Sequence, residues 1–186
     1  VEGAQGVLVY IAIYVAMTLG TFAVILTMKR NGQAVEQISD FAGLSRTNPL
    51  LAFFFAMLLF SLAGIPPLAG FFAKWYLLQA ALQARTPQTT LAVVLVLSSV
   101  VSAAYYLSVI SSMFMRSRAE GAAVPSSNVF TQGLIAFTAI ALLVFGLYPT
   151  PVSRLARRAM PQSVAVTRDV PQTPKPRPLN TASFVR

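Results

Sequence analysis

The 186 residues are 56% hydrophobic and only 10% charged, with a formal charge of +9 and neither cysteine nor histidine. So low a charged fraction, against roughly 25% in soluble domains, marks an integral membrane protein. The missing residue types exclude a disulfide framework, a thiolate or imidazole metal set and a haem attachment motif, while the basic residues lie outside the apolar stretches, where they suit anionic lipid headgroups rather than nucleic acid.

The chain begins Val1-Glu2, and its first apolar run has neither a basic leader nor a cleavage site, so it does not read as a signal peptide. We expect either a processed N-terminus or one piece of something longer. Four segments reach the roughly 20 apolar residues that a bilayer crossing needs: 6–28, 49–82, 91–115 and 130–148. An open sheet would leave backbone groups unpaired in lipid, so the predicted fold is all-α, a polytopic membrane helix bundle over residues 1–159 with no internal repeat.

The first span carries Tyr10, Tyr14, Thr18 and Thr21 at helical spacing. The connection after it is polar, and its centre, residues 35–41, predicts a short amphipathic helix at the interface. The second span, about 34 residues long, is too long for one straight crossing and is interrupted by Gly64-Ile65-Pro66-Pro67-Leu68-Ala69-Gly70. Pro66 and Pro67 lack amide hydrogens and clash with the preceding turn, with Gly64 and Gly70 as flexible flanks. Two half-helices follow, about 49–63 and 70–82, joined inside the membrane, and such breaks are tolerated where they are buried or line a wet cavity.

Lys74 stands in the first turns of the second half-helix, and no other Lys, Arg, Asp or Glu lies within the four spans. Charge at that depth is unfavourable, so an intramembrane ionisable residue points to function. Lysine in a low-dielectric site keeps its proton only while its surroundings stabilise the cation, so it can act as a proton relay. Lys74-Trp75-Tyr76 also fits an interfacial anchor, with the lysine snorkelling and the aromatics in the headgroup belt.

A short connection, residues 83–90, makes the second and third spans antiparallel neighbours. On the third span Ser99, Ser102 and Tyr106 again follow helical spacing. Of the two polar rows, Tyr14, Thr18, Ser102 and Tyr106 are the candidates for supporting water near Lys74. The same groups are also routine in helix packing. Beyond the fourth span, residues 160–186 form a basic, proline-rich tail that reads as extended or disordered. Basic residues near the membrane ends number five on one side (Lys29, Arg30, Arg46, Arg116, Arg118) and four on the other (Arg85, Arg154, Arg157, Arg158), which leaves the sidedness open.

The run Asp40-Phe41-Ala42-Gly43-Leu44-Ser45-Arg46-Thr47-Asn48-Pro49-Leu50, followed by Ser61-Leu62-Ala63-Gly64-Ile65-Pro66-Pro67-Leu68-Ala69-Gly70-Phe71-Phe72-Ala73-Lys74-Trp75-Tyr76, resembles the last part of NADH-quinone oxidoreductase subunit N. Its mitochondrial counterpart is chain 2 of respiratory complex I. The likeness runs from about residue 6 to residue 148, with Tyr10, Tyr14, Thr18, Leu19, Gly20 and Phe22 fitting the preceding family helix.

The resemblance implies a fourteen-helix antiporter-like subunit of two inverted repeats, each with a broken helix. This chain then supplies the last four helices, and Lys74 falls at the proton-channel lysine of the second repeat. The related chain 4 type usually has glutamate there, and in the chain 5 type acidic residues follow the lysine, whereas here Trp75-Tyr76 follow it. Cation/proton antiporter subunits share the broken-helix pattern and are the nearest alternative; a non-catalytic scaffold or assembly module is the alternative from another class.

The resemblance further implies that NADH, FMN, iron-sulfur clusters and ubiquinone are bound by other subunits, with no cofactor or metal on this chain. Partners are the lipid bilayer, the other membrane-arm subunits, and the remaining N-terminal helices of the same subunit, in this chain or a separate one. Those helices hold the family's glutamate–lysine pair and central lysine, so this chain alone is not expected to translocate protons. The family's terminal helix ends outside, which would put the first and third connections inside and Lys74 in the outer half of the membrane. The start without methionine and the basic tail favour the mitochondrial inner membrane over a bacterial plasma membrane.

Overall fold

The computed structural model describes residues 2–30, 32–84, 86–117, 124–125 and 129–148, with side chains from residue 6 onward. The proline-rich tail and all four basic residues counted on its side of the membrane lie outside the described residues, as does Arg118 on the other side.

An uninterrupted apolar stretch without proline forms α1 (Glu2–Thr27), and Thr27 closes it by donating its hydroxyl to the Val24 carbonyl at 2.6 Å. Two short strands, β1 (Met28–Arg30) and β2 (Gln33–Ala34), a 3-10 turn at Ile38–Phe41 and the one-turn α2 (Leu44–Thr47) follow. Pro49, whose fixed φ suits a first helical position, opens α3 (Pro49–Ala63). After residues 64–68 comes α4 (Ala69–Leu82), then α5 (Thr89–Met115), β3 (Val124–Pro125) and α6 (Val129–Leu147). Helices α1, α5 and α6 are each long and apolar enough to cross a membrane. At 15 and 14 residues, neither α3 nor α4 by itself reaches across a hydrocarbon core of about 30 Å at about 1.5 Å per residue.

Helix α1 runs antiparallel to the α3–α4 pair. Near its start Gly6 meets the Tyr76 backbone, and midway Met17 meets Ser61 and Gly70 at the break. Helix α6 packs on α1, α3 and α4, while α5 lies mainly along α3. The core around the break includes Met17, Phe55, Leu58, Leu62, Ala69, Ala73, Ile135 and Leu142. One face of α5, with Leu97 and Val101 60% and 72% exposed, is left uncovered by the other described residues.

Two features of the polar end differ from the sequence expectation. A helix over 35–41 does not form: only Ile38–Phe41 turns, because the Asp40 carboxylate accepts the Gln37 amide at 3.1 Å and the Arg30 guanidinium at 2.9 Å, which competes with a helical ladder. A three-stranded sheet in the order β2-β1-β3 is also present, pairing Lys29 with both Ala34 and Val124. Both features flank the apolar spans, where water can meet a strand edge, so neither conflicts with the requirement for helices in lipid. The sheet ties the first and third connections together on one face of the bundle. Ser45 and Ser112 fasten the same connection to the end of α5 through the Met113 and Ile38 carbonyls, at 2.9 and 3.1 Å.

Candidate functional site

Helix α3 ends in a glycine cap. Gly64 takes φ +86°, its amide donates to the Ser61 carbonyl at 3.0 Å, and the Ile65 amide donates to the Phe60 carbonyl at 3.0 Å, the pattern of a Schellman turn. Pro66 and Pro67 then prevent the helix from resuming. The cap satisfies two of the last four carbonyls of α3 and leaves those of Leu62 and Ala63.

Lys74 completes the set. Its Nζ donates to the Leu62 carbonyl at 3.0 Å and to the Ala63 carbonyl at 3.2 Å. The cation sits at the negative end of the α3 dipole, a favourable placement worth up to about 2 kcal/mol when partly buried. Although Lys74 belongs to the second turn of α4, its head turns back onto α3 instead of extending along α4 toward the membrane surface. Trp75, 44% exposed, stacks on Phe71 with ring centroids 6.2 Å apart.

The start of α4 is fitted to the same break. The Gly70 amide donates to Ser61 Oγ at 3.1 Å, and Ser61 in turn lies 3.0 Å from Met17 Sδ. Gly70 was expected as a flexible flank, but it stands inside the first turn of α4, and its value is steric: a Cβ there would strike the Ser61 carbonyl. Gly146 on α6 is likewise pressed on the link, where a Cβ would meet the Pro67 carbonyl oxygen.

Beside Lys74 is a cavity of about 150 Å³ whose polar lining includes members of both rows noted in the sequence, Tyr10 and Tyr14 from α1 and Ser99, Ser102 and Tyr106 from α5, together with Ser98. Ser99 and Ser102 donate to the Leu95 and Ser98 carbonyls at 2.7 and 2.8 Å, leaving their oxygens as acceptors. Of the four supporting candidates, Tyr14, Ser102 and Tyr106 join Lys74 here, while Thr18 does not. Ser98 went unnoticed in the sequence, although it stands four residues before Ser102 and so on the same helix face. Ser61 and the two α3 carbonyls were missed as well; a Gly-x-Pro helix end does signal carbonyls in need of donors. Among the described residues no group of three or more Asp, Glu, His or Cys converges as a metal site would require.

A family profile described as NADH:quinone oxidoreductase/Mrp antiporter, TM matches residues 1–102, which include α1, the break and Lys74. The chain belongs to this family. It is 52% identical over 159 residues to NADH-quinone oxidoreductase subunit N of Gemmatimonas aurantiaca, covering 84% of this chain and 31% of that protein. With the subunit N of Beijerinckia indica it shares 52% over 147 residues, 79% of this chain and 30% of the relative.

The chain thus spans about a third of the length of the curated relatives it matches, and corresponds to their C-terminal part. Among solved structures, a chain of respiratory complex I from Thermus thermophilus with bound aureothin superposes with a TM-score of 0.63 at 29% identity, covering 81% of this chain and 34% of that one. A chain of the Mrp complex from Dietzia sp. DQ12-45-1b gives 0.66 at 22% identity, covering 82% and 36%, which shows the shared antiporter-like membrane fold.

Proposed function

We propose that this chain is the C-terminal portion of a proton-translocating, antiporter-like membrane-arm subunit of respiratory NADH:quinone oxidoreductase, and that Lys74 is its proton-relay residue. The observation that carries the proposal is the Lys74 head, bound to the open end of a broken helix and facing a polar cavity. As an ammonium, Lys74 gives two of its three hydrogens to the Leu62 and Ala63 carbonyls. As a neutral amine it keeps two hydrogens, which hold the same carbonyls more weakly without the charge, and its lone pair can accept a proton from water held by Tyr10, Tyr14, Ser102 and Tyr106. Protonation is thereby coupled to how tightly the break is clamped.

Identity to subunit N supports this reading over a cation/proton antiporter subunit, since the likeness to the Mrp complex extends to fold alone. NADH, FMN, iron-sulfur clusters and ubiquinone belong in this proposal to other subunits, and the remaining helices of the antiporter-like subunit pack against these four, with the other membrane-arm subunits beyond. The relatives named above are bacterial, which favours the bacterial plasma membrane over the mitochondrial inner membrane anticipated from the sequence.

The test is Lys74→Ala in the assembled complex. It is expected to abolish or strongly reduce proton pumping per NADH oxidised, while NADH oxidation by artificial electron acceptors continues. Normal pumping in a fully assembled variant would remove the relay assignment, and recovery of the chain with cation/proton antiporter subunits and no flavin or iron-sulfur protein would remove the complex.

A further inference from the structure

Lys74 borders a second space, which no tyrosine lines. A groove of about 250 Å³ runs between α4 and α5, with Phe71, Trp75 and Leu78 as one wall and Leu95, Val96 and Val100 as the other. Trp75, Val96 and Val100 are exposed, so the groove opens on the outer surface of this bundle. The stacked rings of Phe71 and Trp75 give its α4 wall a flat aromatic face. Ala63 and Gly64 also line it and mark where the lysine head lies, since a Cβ on Gly64 would stand 3.3 Å from Lys74 Nζ. Glycine at that position leaves the α3 end of the groove open to the ammonium.

That end carries a charge which the chain does not meet with another charge. Two Lys74 hydrogens go to the Leu62 and Ala63 carbonyls, and the third has no acceptor among the described residues. No Asp or Glu lies within the spans, and the one ion pair among the described residues, Arg30 with Asp40 at 2.9 Å, belongs to the sheet-bearing side. Ser99, also on the groove, has already given its hydrogen to the Leu95 carbonyl at 2.7 Å. A carboxylate would accept the third hydrogen in a charge-assisted bond, stronger than one to a neutral acceptor. One cation at the end of an apolar groove is complementary to a molecule with one anionic head and one apolar chain.

Depth narrows the choice of molecule. From Lys74, α4 continues to Leu82, about 12 Å at about 1.5 Å per residue. A phospholipid phosphate stays charged and hydrated at the headgroup level, and descending that far would strip its water. A carboxylic acid makes the descent uncharged. On reaching a neutral Lys74 amine its O–H proton passes to Nζ, leaving a carboxylate beside an ammonium.

We propose that the α4–α5 groove binds a long-chain fatty acid, its chain against Phe71, Trp75 and Val96 and its carboxylate paired with Lys74 at the α3 end. The site rests on the position of the Lys74 head and not on the relay assignment. Where Lys74 carries protons, the bound acid holds it as the ammonium.

Photo-crosslinking in the assembled complex, reconstituted in lipid nanodiscs, tests the site without reference to pumping. The probes are palmitic acid carrying a diazirine in its chain and the methyl ester of the same molecule, with adducts mapped by peptide mass spectrometry. The acid is expected to label residues 71–78 and 95–103 at least about tenfold more than the ester does. Lys74→Gln is expected to bring the acid down to the level of the ester, and Lys74→Arg to retain the difference, because charge and donors remain. Val96→Trp fills the groove from an exposed position while the lysine stays intact, and is expected to lower acid labelling at least about tenfold.

Equal labelling by acid and ester, or acid labelling undiminished in Lys74→Gln, would reduce the groove to the contact that any lipid chain makes and overturn the pairing. Undiminished labelling in Val96→Trp would place the chain elsewhere. Absence of adducts from both segments would mean that another helix fills the groove, and equal labelling by a diazirine-bearing phosphatidic acid would overturn the choice of a single-chain acid. Normal pumping by Lys74→Ala, which removes the relay, alters none of these readings.

Discussion

At Lys74 two roles overlap, capping α3 and carrying a proton, and arginine separates them. Arg retains the charge and the donors for the Leu62 and Ala63 carbonyls but is not deprotonated in proteins. Lys74→Arg is therefore expected to assemble yet pump no better than Lys74→Ala; restored pumping, measured as acidification per NADH oxidised, would leave the lysine only a structural cap. Neighbouring Ser61 has a purely structural task. Ser61→Ala leaves the buried Gly70 amide without its acceptor and is expected to destabilise the subunit by about 1–3 kcal/mol, read as a lowered thermal midpoint of the purified complex. Lys74 could be singled out from the sequence because a lone charge among apolar residues is visible without a structure. Its acceptors could not, because they are backbone carbonyls, which every residue has.

The break itself is held between α1, α4 and α6, and its glycines report that packing. Gly64→Ala forces a Cβ onto a residue at φ +86°, a strain of roughly 1–2 kcal/mol, and places that Cβ 3.3 Å from Lys74 Nζ. Gly146→Ala lies on another helix, yet is expected to disturb the same place, since its Cβ would meet the Pro67 carbonyl oxygen; overpacking of this kind costs about 1–3 kcal/mol. Both variants should lower the thermal midpoint of the complex, and Gly64→Ala should also reduce pumping by displacing the lysine head. A Gly146→Ala complex as stable as the parent would show that α6 does not press on the link. The discontinuity of the second span was legible because two adjacent prolines remove backbone donors whatever surrounds them. The role of Gly70 was not, because nothing in the local sequence says that Ser61 lies opposite.

Across the bundle, the β2-β1-β3 sheet places the first and third connections on one face, with the α4–α5 connection on the other. Cysteines at Ala34 and Val124 are thus expected to label from the same side of the membrane and one at Thr86 from the opposite side; labelling of Ala34→Cys and Val124→Cys from different sides would break this topology. Composition and hydropathy were enough to establish an all-α membrane bundle, and the sequence also marked the interruption that separates α3 from α4 and the charge beside it. Each follows from local physics: an apolar run partitions into lipid, proline cannot continue a helix, and a charge is unfavourable wherever lipid surrounds it. Tertiary structure alone decided that Lys74 closes the end of α3, that Tyr14 and Tyr106 line one cavity with it, that Thr18 and Thr21 line another, and that strands join two polar connections. Those outcomes depend on how each helix is rotated about its axis and how far it slides past its neighbours. In helices apolar on nearly every face, no amphipathic stripe is present to write that rotation into the sequence.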